Sequence, residues 1–389
     1  MKEYRLGDII DIKHGYAFDG DHIVQEDNGI VLVTPGNFRI GGGFQEEKCK
    51  FFTGEIPDDY VLSAGDFIVT MTDLSKEIDT LGYSAIVPDT NRTYLHNQRI
   101  GLVSFKNNEC HPGYIYFLMR THQYQRSIAN TSTGATVHHT SPSKICDYQF
   151  YAPSYEKQRR IAEYLFVYEK LTENNQKQIK LLEEAAQRLY KEWFIDLRFP
   201  GHETTPIVDG VPAGWKKVGL ASIAPIVTGK KDANFGTADG KYLFFTCAQE
   251  PIKAPSYSFD CDAVILAGNG DFNVKLYRGQ FEAYQRTYVF SPYDKDHLYL
   301  LYHAVRESMR QLFQGASGST IKFLTKHMLE DILVHIPEDS ILQAYNSNCE
   351  AIQKKIECLK NQIISSQEAR DRLLPKLMSG EIEVQEVLV

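Results

Sequence analysis

Residues 154–199 read SYEKQRRIAEYLFVYEKLTENNQKQIKLLEEAAQRLYKEWFIDLRF, with neither Gly nor Pro among them. A heptad frame puts Ile161, Leu165, Tyr168, Thr172, Asn175, Ile179, Leu182, Ala186, Leu189 and Trp193 on one seam, all apolar except Thr172 and Asn175. The stretch therefore predicts one long helix with a narrow apolar stripe of coiled-coil type. Residues 338–374 also lack Gly and Pro, and the same frame moved on by 184 residues gives Tyr345, Cys349, Ile352, Ile356, Leu359, Ile363, Ser366, Arg370, Leu373 and Leu377. Only Ser366 and Arg370 interrupt that second stripe. The natural partner of each stripe is the other, as an antiparallel coiled coil. Setting Ile161 opposite Leu377 brings Thr172 opposite Ser366 and Tyr168 opposite Arg370, so polar layers coincide and fewer buried polar groups lack partners. A helix of roughly 40 residues spans about 60 Å.

The helices are the ends of a longer repeat. Thr133 to Phe194 lies over Ser317 to Met378 without a gap: Gly134 falls on Gly318, Thr136 on Thr320, Asp147 on Asp331, Pro153 on Pro337 and Arg188 on Arg372. Each copy runs from a Gly/Ser/Thr turn, through a short apolar stretch ending in Pro, into a long helix. The expected fold is α+β: two similar mixed α/β domains, separated by the two helices, related by a pseudo-two-fold axis. The expected boundaries are 1–153 for the first domain, 154–199 for its helix, 200–213 for a linker without periodicity, 214–337 for the second domain, 338–380 for its helix and 381–389 for a tail. Strands are expected at Gly29–Val33, Phe67–Met71, Gly101–Phe105, Val264–Ala267 and Thr287–Phe290, and domain helices at Pro112–Ala129 and Leu298–Leu312. Gln98-Arg99 before a strand in the first domain corresponds to Gln285-Arg286 in the second.

The net charge of −8 is unevenly spread. Residues 1–153 hold 13 Lys/Arg against 19 Asp/Glu, and residues 214–335 hold 14 against 12. Such a total neither requires nor forbids a nucleic-acid partner, because only the face that touches phosphate must be positive. Seven scattered Cys, odd in number and without a C-x-x-C pair, argue for reduced thiols and against a disulfide framework or structural zinc. The charged start MKEYRLGDIIDIKHG has no apolar signal region, and no run is long and apolar enough to span a membrane, so a cytoplasmic location is expected. Phosphate-binding, nucleotide-binding, zinc-protease, nucleophile-elbow and amino-methylase motifs are all missing. No catalytic residue and no metal ligand is nominated. His138-His139 would point opposite ways in extended chain.

The tract YEKQRRIAEYL after Ala152-Pro153, the helix that follows and the terminal LLPKLMSGEI resemble the specificity subunit of type I restriction-modification systems. So do GWKKVGL at 214–220 and the STGATV and SGSTIK turns before each helix. The first domain lacks a Gly-Trp lead-in, and EDSILQAYNSN is a poor copy of YEKQRRIAEYL. The resemblance implies a non-catalytic chain whose two target-recognition domains each read one half of a bipartite, asymmetric site in double-stranded DNA. It implies that the helices set the gap and dock two modification subunits, which bind S-adenosylmethionine and methylate adenine. It further implies restriction subunits using ATP and Mg2+, and no cofactor on this chain. The competing reading of the duplication is a protein–protein adaptor.

Base edges are read by Arg, Lys, Asn and Gln, and phosphate is held by Lys, Arg and turn N–H groups. The candidates in the first domain are Lys13, His14, Asn37, Arg39, Lys76, Asn91, Arg92, Asn97 and Arg99. Those in the second are Lys230, Lys231, Asn234, Gln249, Asn269, Asn273, Lys275, Arg278 and Arg286. Thr133, Thr136, Ser317 and Thr320 could hold phosphate in the repeated turns. A solvated loop, or a structural turn, is the alternative for each. Trp193-Phe194 could be a partner contact or could close the helix pair against a domain.

Overall fold

A computed structural model describes residues 1–47, 49–75, 77–270, 272–316 and 322–383. Lys76, Ser317 and Thr320 lie outside the described residues. The chain divides into two compact units, Met1–Asn174 with Gln362–Val389, and Asn175–Asn361. The division falls inside the long helices rather than at their ends, so each unit owns part of both.

In the first unit a four-stranded antiparallel sheet runs in the order Ile10–His14, Ile100–Phe105, Phe67–Thr70, Ser84–Ile86. A second sheet orders Ile23–Val24, Lys50–Phe52, Ile30–Val33, Thr93–His96 and Val61–Leu62. Val31, Val33, Ile68, Ala85 and Ile100 join in a common core, while the alternate residues Phe67 and Val69 face another, so Phe67–Thr70 is buried on both sides. A larger core gathers Leu6, Ile9, Tyr114, Ile115 and Phe117 with Ile161, Ala162 and Leu165 of the first long helix and Leu374, Leu377 and Met378 of the second. Burying these side chains is what fastens the globular part to the helix ends.

The second unit carries a six-stranded sheet ordered Val227–Thr228, Thr287–Phe290, Phe259–Ala267, Val274–Ala283, Tyr242–Phe245 and Ile252–Ala254. Its helix Leu298–Gly315 packs Leu298, Leu300, Leu301 and Val305 into a core shared with Tyr190, Phe194, Tyr345 and Cys349. Phe194 is fully buried, edge-on to Tyr345 at 4.8 Å and tilted on Trp215 at 5.5 Å. Phe194 therefore closes the helix against its domain and is not a partner contact; Trp193 is half-buried beside Tyr345.

The two globular parts begin the same way. Lys2–Arg5 pairs antiparallel with Gln149–Ala152, and Lys216–Gly219 pairs antiparallel with Leu333–Ile336. Leu6 N–H then donates to Tyr148 O at 2.8 Å, and Leu220 N–H to Ile332 O at 2.9 Å. The first strand of each globular part is thus stitched to the strand leading into its long helix.

The long helices span Tyr155–Tyr190 and Asp339–Ser379, and every seam position of both heptad frames is buried or half-buried. Three sequence expectations change. The first helix stops short of 199, because its last turn widens to i→i+5 bonding over Lys191–Ile195 and Leu197 takes a positive φ. The helix expected over Pro112–Ala129 is two, Pro112–Leu118 and His122–Asn130, since the Thr121 hydroxyl accepts from Tyr124 N–H as an N-cap. The linker holds a hairpin, Ile207–Val208 with Val211–Pro212, turned by Asp209-Gly210 with both φ positive.

Candidate nucleic-acid interface

In the second unit the chain reverses over Tyr284–Thr287, with Thr287 N–H donating to Tyr284 O at 2.8 Å. Gln285 and Arg286 occupy the two corners. The Arg286 carbonyl accepts Gly268 N–H at 2.8 Å, and the Gly268 carbonyl accepts Leu324 N–H at 2.8 Å. Gly229 N–H donates to Thr287 O at 3.1 Å, and Gln285 N–H to Lys231 O at 2.9 Å. A Cβ at Gly229 would stand 1.9 Å from Ala283 O, so only Gly fits this close approach. Asn273 Nδ2 donates to Cys247 O at 3.1 Å, and Lys275 Nζ to Ala248 O at 2.9 Å. Partial burial pushes the Lys275 ammonium below its usual range. These loops are bonded into one cluster that brings together Lys231, Asn269, Asn273, Lys275 and Arg286, with Lys230, Asn234 and Gln249 on the same loops.

The first unit builds the same framework. Ile100 N–H donates to Asn97 O at 2.9 Å, so Gln98 and Arg99 are the corners of the turn. The Arg99 carbonyl accepts Met71 N–H at 2.9 Å and the Met71 carbonyl accepts Thr140 N–H at 3.0 Å. Gly15 N–H donates to Ile100 O at 3.3 Å, Gln98 N–H donates to Tyr16 O at 2.9 Å, and a Cβ at Gly15 would stand 2.1 Å from Asn97 O. The Gln-Arg correspondence seen in the sequence is thus matched in its bonds, with the acceptor of the Gln N–H one residue further from the Gly in the second unit. Onto this framework His138–His139 pairs with Thr72–Asp73, and Thr133 bridges to His139 across the Gly134 turn. Asp73 closes the next loop by accepting Ser75 N–H at 2.6 Å, Thr80 N–H at 2.6 Å and Leu81 N–H at 3.0 Å. Burial alone would raise its pKa, but these bonds and the Thr80 hydroxyl hold the carboxyl below the usual range. Its charge is spent inward.

The family described as "Type I restriction modification DNA specificity domain" matches residues 1–184 and 212–364, which is most of the chain and takes in both loop clusters. The chain belongs to this family. It carries two copies of the DNA specificity domain of type I restriction-modification systems. It is 38% identical over 168 residues to the type I restriction enzyme EcoDI specificity subunit of Escherichia coli, covering 43% of this chain but only 36% of that subunit. It is 25% identical over 307 residues to the type I restriction enzyme MjaIX specificity subunit of Methanocaldococcus jannaschii, covering 70% of each. Its fold is similar to that of the type I restriction-modification S subunit from M. genitalium, with a TM-score of 0.54, 14% identity and coverage of 97% of this chain and 96% of that one.

Not every candidate lies in a cluster of these specificity domains. Asn37 is fully buried, accepting Thr34 N–H at 2.8 Å and donating to Gln45 O at 3.2 Å; it shapes a turn and cannot reach a base. Asn97 is also buried, and its side chain accepts Arg99 N–H at 3.0 Å. Arg92, with exposed Asn91, sits at the other end of strand Thr93–His96 from the Gln-Arg turn, paired with Asp27 and with Glu46 at 3.2 Å. Arg278 pairs with Glu350 at 3.0 Å and donates to Tyr299 Oη at 3.0 Å. The bonds from Arg278 and Tyr299 hold the Glu350 carboxyl down to about 2. Arg92 and Arg278 are therefore framework residues, each neutralised by acids far away in sequence. Lys13 donates to Asp59 O at 3.0 Å and lies over the Tyr60 ring, beside exposed His14. Arg39 opens the turn through Gly43, whose Gly41 carbonyl accepts Arg120 Nε at 2.8 Å.

Two residues escaped the sequence reading. Tyr16 is exposed between His14 and the Gln-Arg turn, and Lys322 adjoins Asn269 through the Asn269–Phe323 bridge. The repeat gives no signal for Lys322, because its counterpart 184 residues earlier, His138, is not itself a candidate. Among the described residues no group of His, Cys, Asp and Glu is placed to hold a metal ion, and no helix is long and apolar enough to cross a membrane.

Proposed function

We propose that this chain is the DNA-sequence-reading subunit of a type I restriction-modification complex, each loop cluster reading one half of a bipartite, asymmetric duplex site. The observation that carries the reading is one turn framework built twice and dressed differently: His14 and Thr133 on the framework of Arg99, and Lys231, Asn273 and Lys275 on that of Arg286. A shared frame with unlike side chains suits two readers of unlike sequences. The two long helices pair as an antiparallel coiled coil in a pseudo-two-fold chain, set the gap between half-sites and dock two modification subunits. Chemistry belongs to partners in the cytoplasm: adenine methylation with S-adenosylmethionine by the modification subunits, and ATP- and Mg2+-dependent translocation and cleavage by restriction subunits. This chain binds DNA and no cofactor.

The test is adenine-methylation mapping in a host carrying the chain with its cognate modification subunit, against one lacking the chain. A new bipartite motif with a fixed gap is expected. No methylation difference, with the modification subunit active alongside another specificity partner, would overturn the reading and favour a protein adaptor.

A further inference from the structure

Arg99 and Arg286 hold the same place in two differently dressed clusters, the second corner of a turn closed by the bond to its first residue. Their roots are fixed. Arg99 gives its N–H to Asn97 Oδ1 and its carbonyl to Met71, and the Arg286 carbonyl accepts from Gly268 and from Cys247 Sγ at 3.7 Å. Their tips are not. Among the described residues neither guanidinium has a hydrogen-bond or ion-pair partner, although acidic residues outnumber basic ones 50 to 42 in this chain. Arg92, Arg120, Arg278 and Arg370 are all paired.

We propose that Arg99 and Arg286 are a matched pair of phosphate clamps, each holding one backbone phosphate of the duplex and reading no base. This inference rests on the DNA-reading function above. A group used identically in two domains cannot carry the difference between their half-sites, whereas a phosphate recurs beside every base pair. An unpaired guanidinium on a rigid turn loses little freedom when its fork meets a phosphate. The unlike neighbours carry the sequence information, and the clamps fix where those neighbours lie against the groove.

The experiment uses the full chain assembled with its modification subunits and two duplexes, one with the mapped motif and one with both half-sites scrambled. Binding is followed across a salt series for wild type, Arg99→Ala, Arg286→Ala and the corresponding Lys variants. Each Ala variant should reduce the slope of log affinity against log salt by about one. It should weaken both duplexes by the same factor and leave the methylated motif unchanged, and Lys should restore the slope. Loss confined to the motif duplex, with one base position relaxed, would overturn the proposal in favour of base reading. An unchanged slope in either Ala variant would overturn it too. Wild-type complex that binds neither duplex would instead sink the broader DNA-reading function before any variant is compared.

Discussion

The Glu169 carboxylate meets the Arg120 guanidinium at 3.1 Å inside the first unit, where the Arg120 side chain is 1% exposed. Arg370 of the second long helix pairs with the other side of the same carboxylate, and Arg120 also donates to Gly41 O at 2.8 Å and Tyr116 Oη at 2.8 Å. One carboxylate of the first long helix therefore gathers the second helix and a glycine turn of the globular domain. Glu169→Ala would leave the buried Arg120 guanidinium without its counter-ion, while Arg370 keeps Asp371 at 2.7 Å, and should cost about 3–5 kcal/mol. Replacing Arg120, Glu169 and Arg370 together by Met should restore most of that loss. Urea unfolding of the three proteins checks it; equal stability of wild type and Glu169→Ala would refute the account.

His303 gives the second unit a sensitivity to acid. Burial, with help from the Arg306 charge, pushes its imidazole down to about 3, against an ordinary value of 6.5. Below pH 6.5 the unfolded chain takes up a proton that the folded chain refuses until about pH 3, so stability present at neutral pH is lost across that window. Between pH 7 and pH 5 this should remove about 2 kcal/mol. Unfolding of wild type and His303→Phe at both pH values should give a shallower decline in the variant, whatever its absolute stability. Parallel declines would contradict this.

Gly15→Ala and Gly229→Ala should each damage one turn framework, because the added Cβ would meet backbone carbonyl oxygen at 2.1 Å and 1.9 Å. Backbone cannot swing aside as a side chain can. Methylation mapping should show each variant losing selectivity in one half-site while the other stays sharp. Wild-type selectivity in both halves would argue against the framework.

Inserting seven residues into each long helix, in matching layers, keeps the heptad phase and adds about 10 Å of helix. The preferred gap should lengthen by about three base pairs, at about 3.4 Å each. A mapped motif with its original gap would mean that the helices do not set it.

The long helices were legible because a heptad stripe is written locally, and each seam position from Ile161 to Leu377 proved covered. The Gln-Arg turns were legible for the same local reason. Pairing was not. Asp27 lies 65 residues from Arg92 and Glu350 lies 72 residues from Arg278, and only the folded chain brings them together. Asn37 is a candidate by residue type, since Asn can read a base edge, but its side chain turns inward to Gln45. The break at Thr121 was readable in principle, since Thr before a helical run is a common N-cap.

Lys2 lies beside Ala152, and Lys216 beside Ile336. Each globular part thus behaves as a cassette whose way in and way out share one antiparallel doorway. Recombination on either side of that doorway would replace the whole loop cluster in a single event and leave the heptad stripes uncut. On the proposed DNA-reading function, a lineage carrying such a chain would acquire a new half-site at one step, without having to re-evolve its helices.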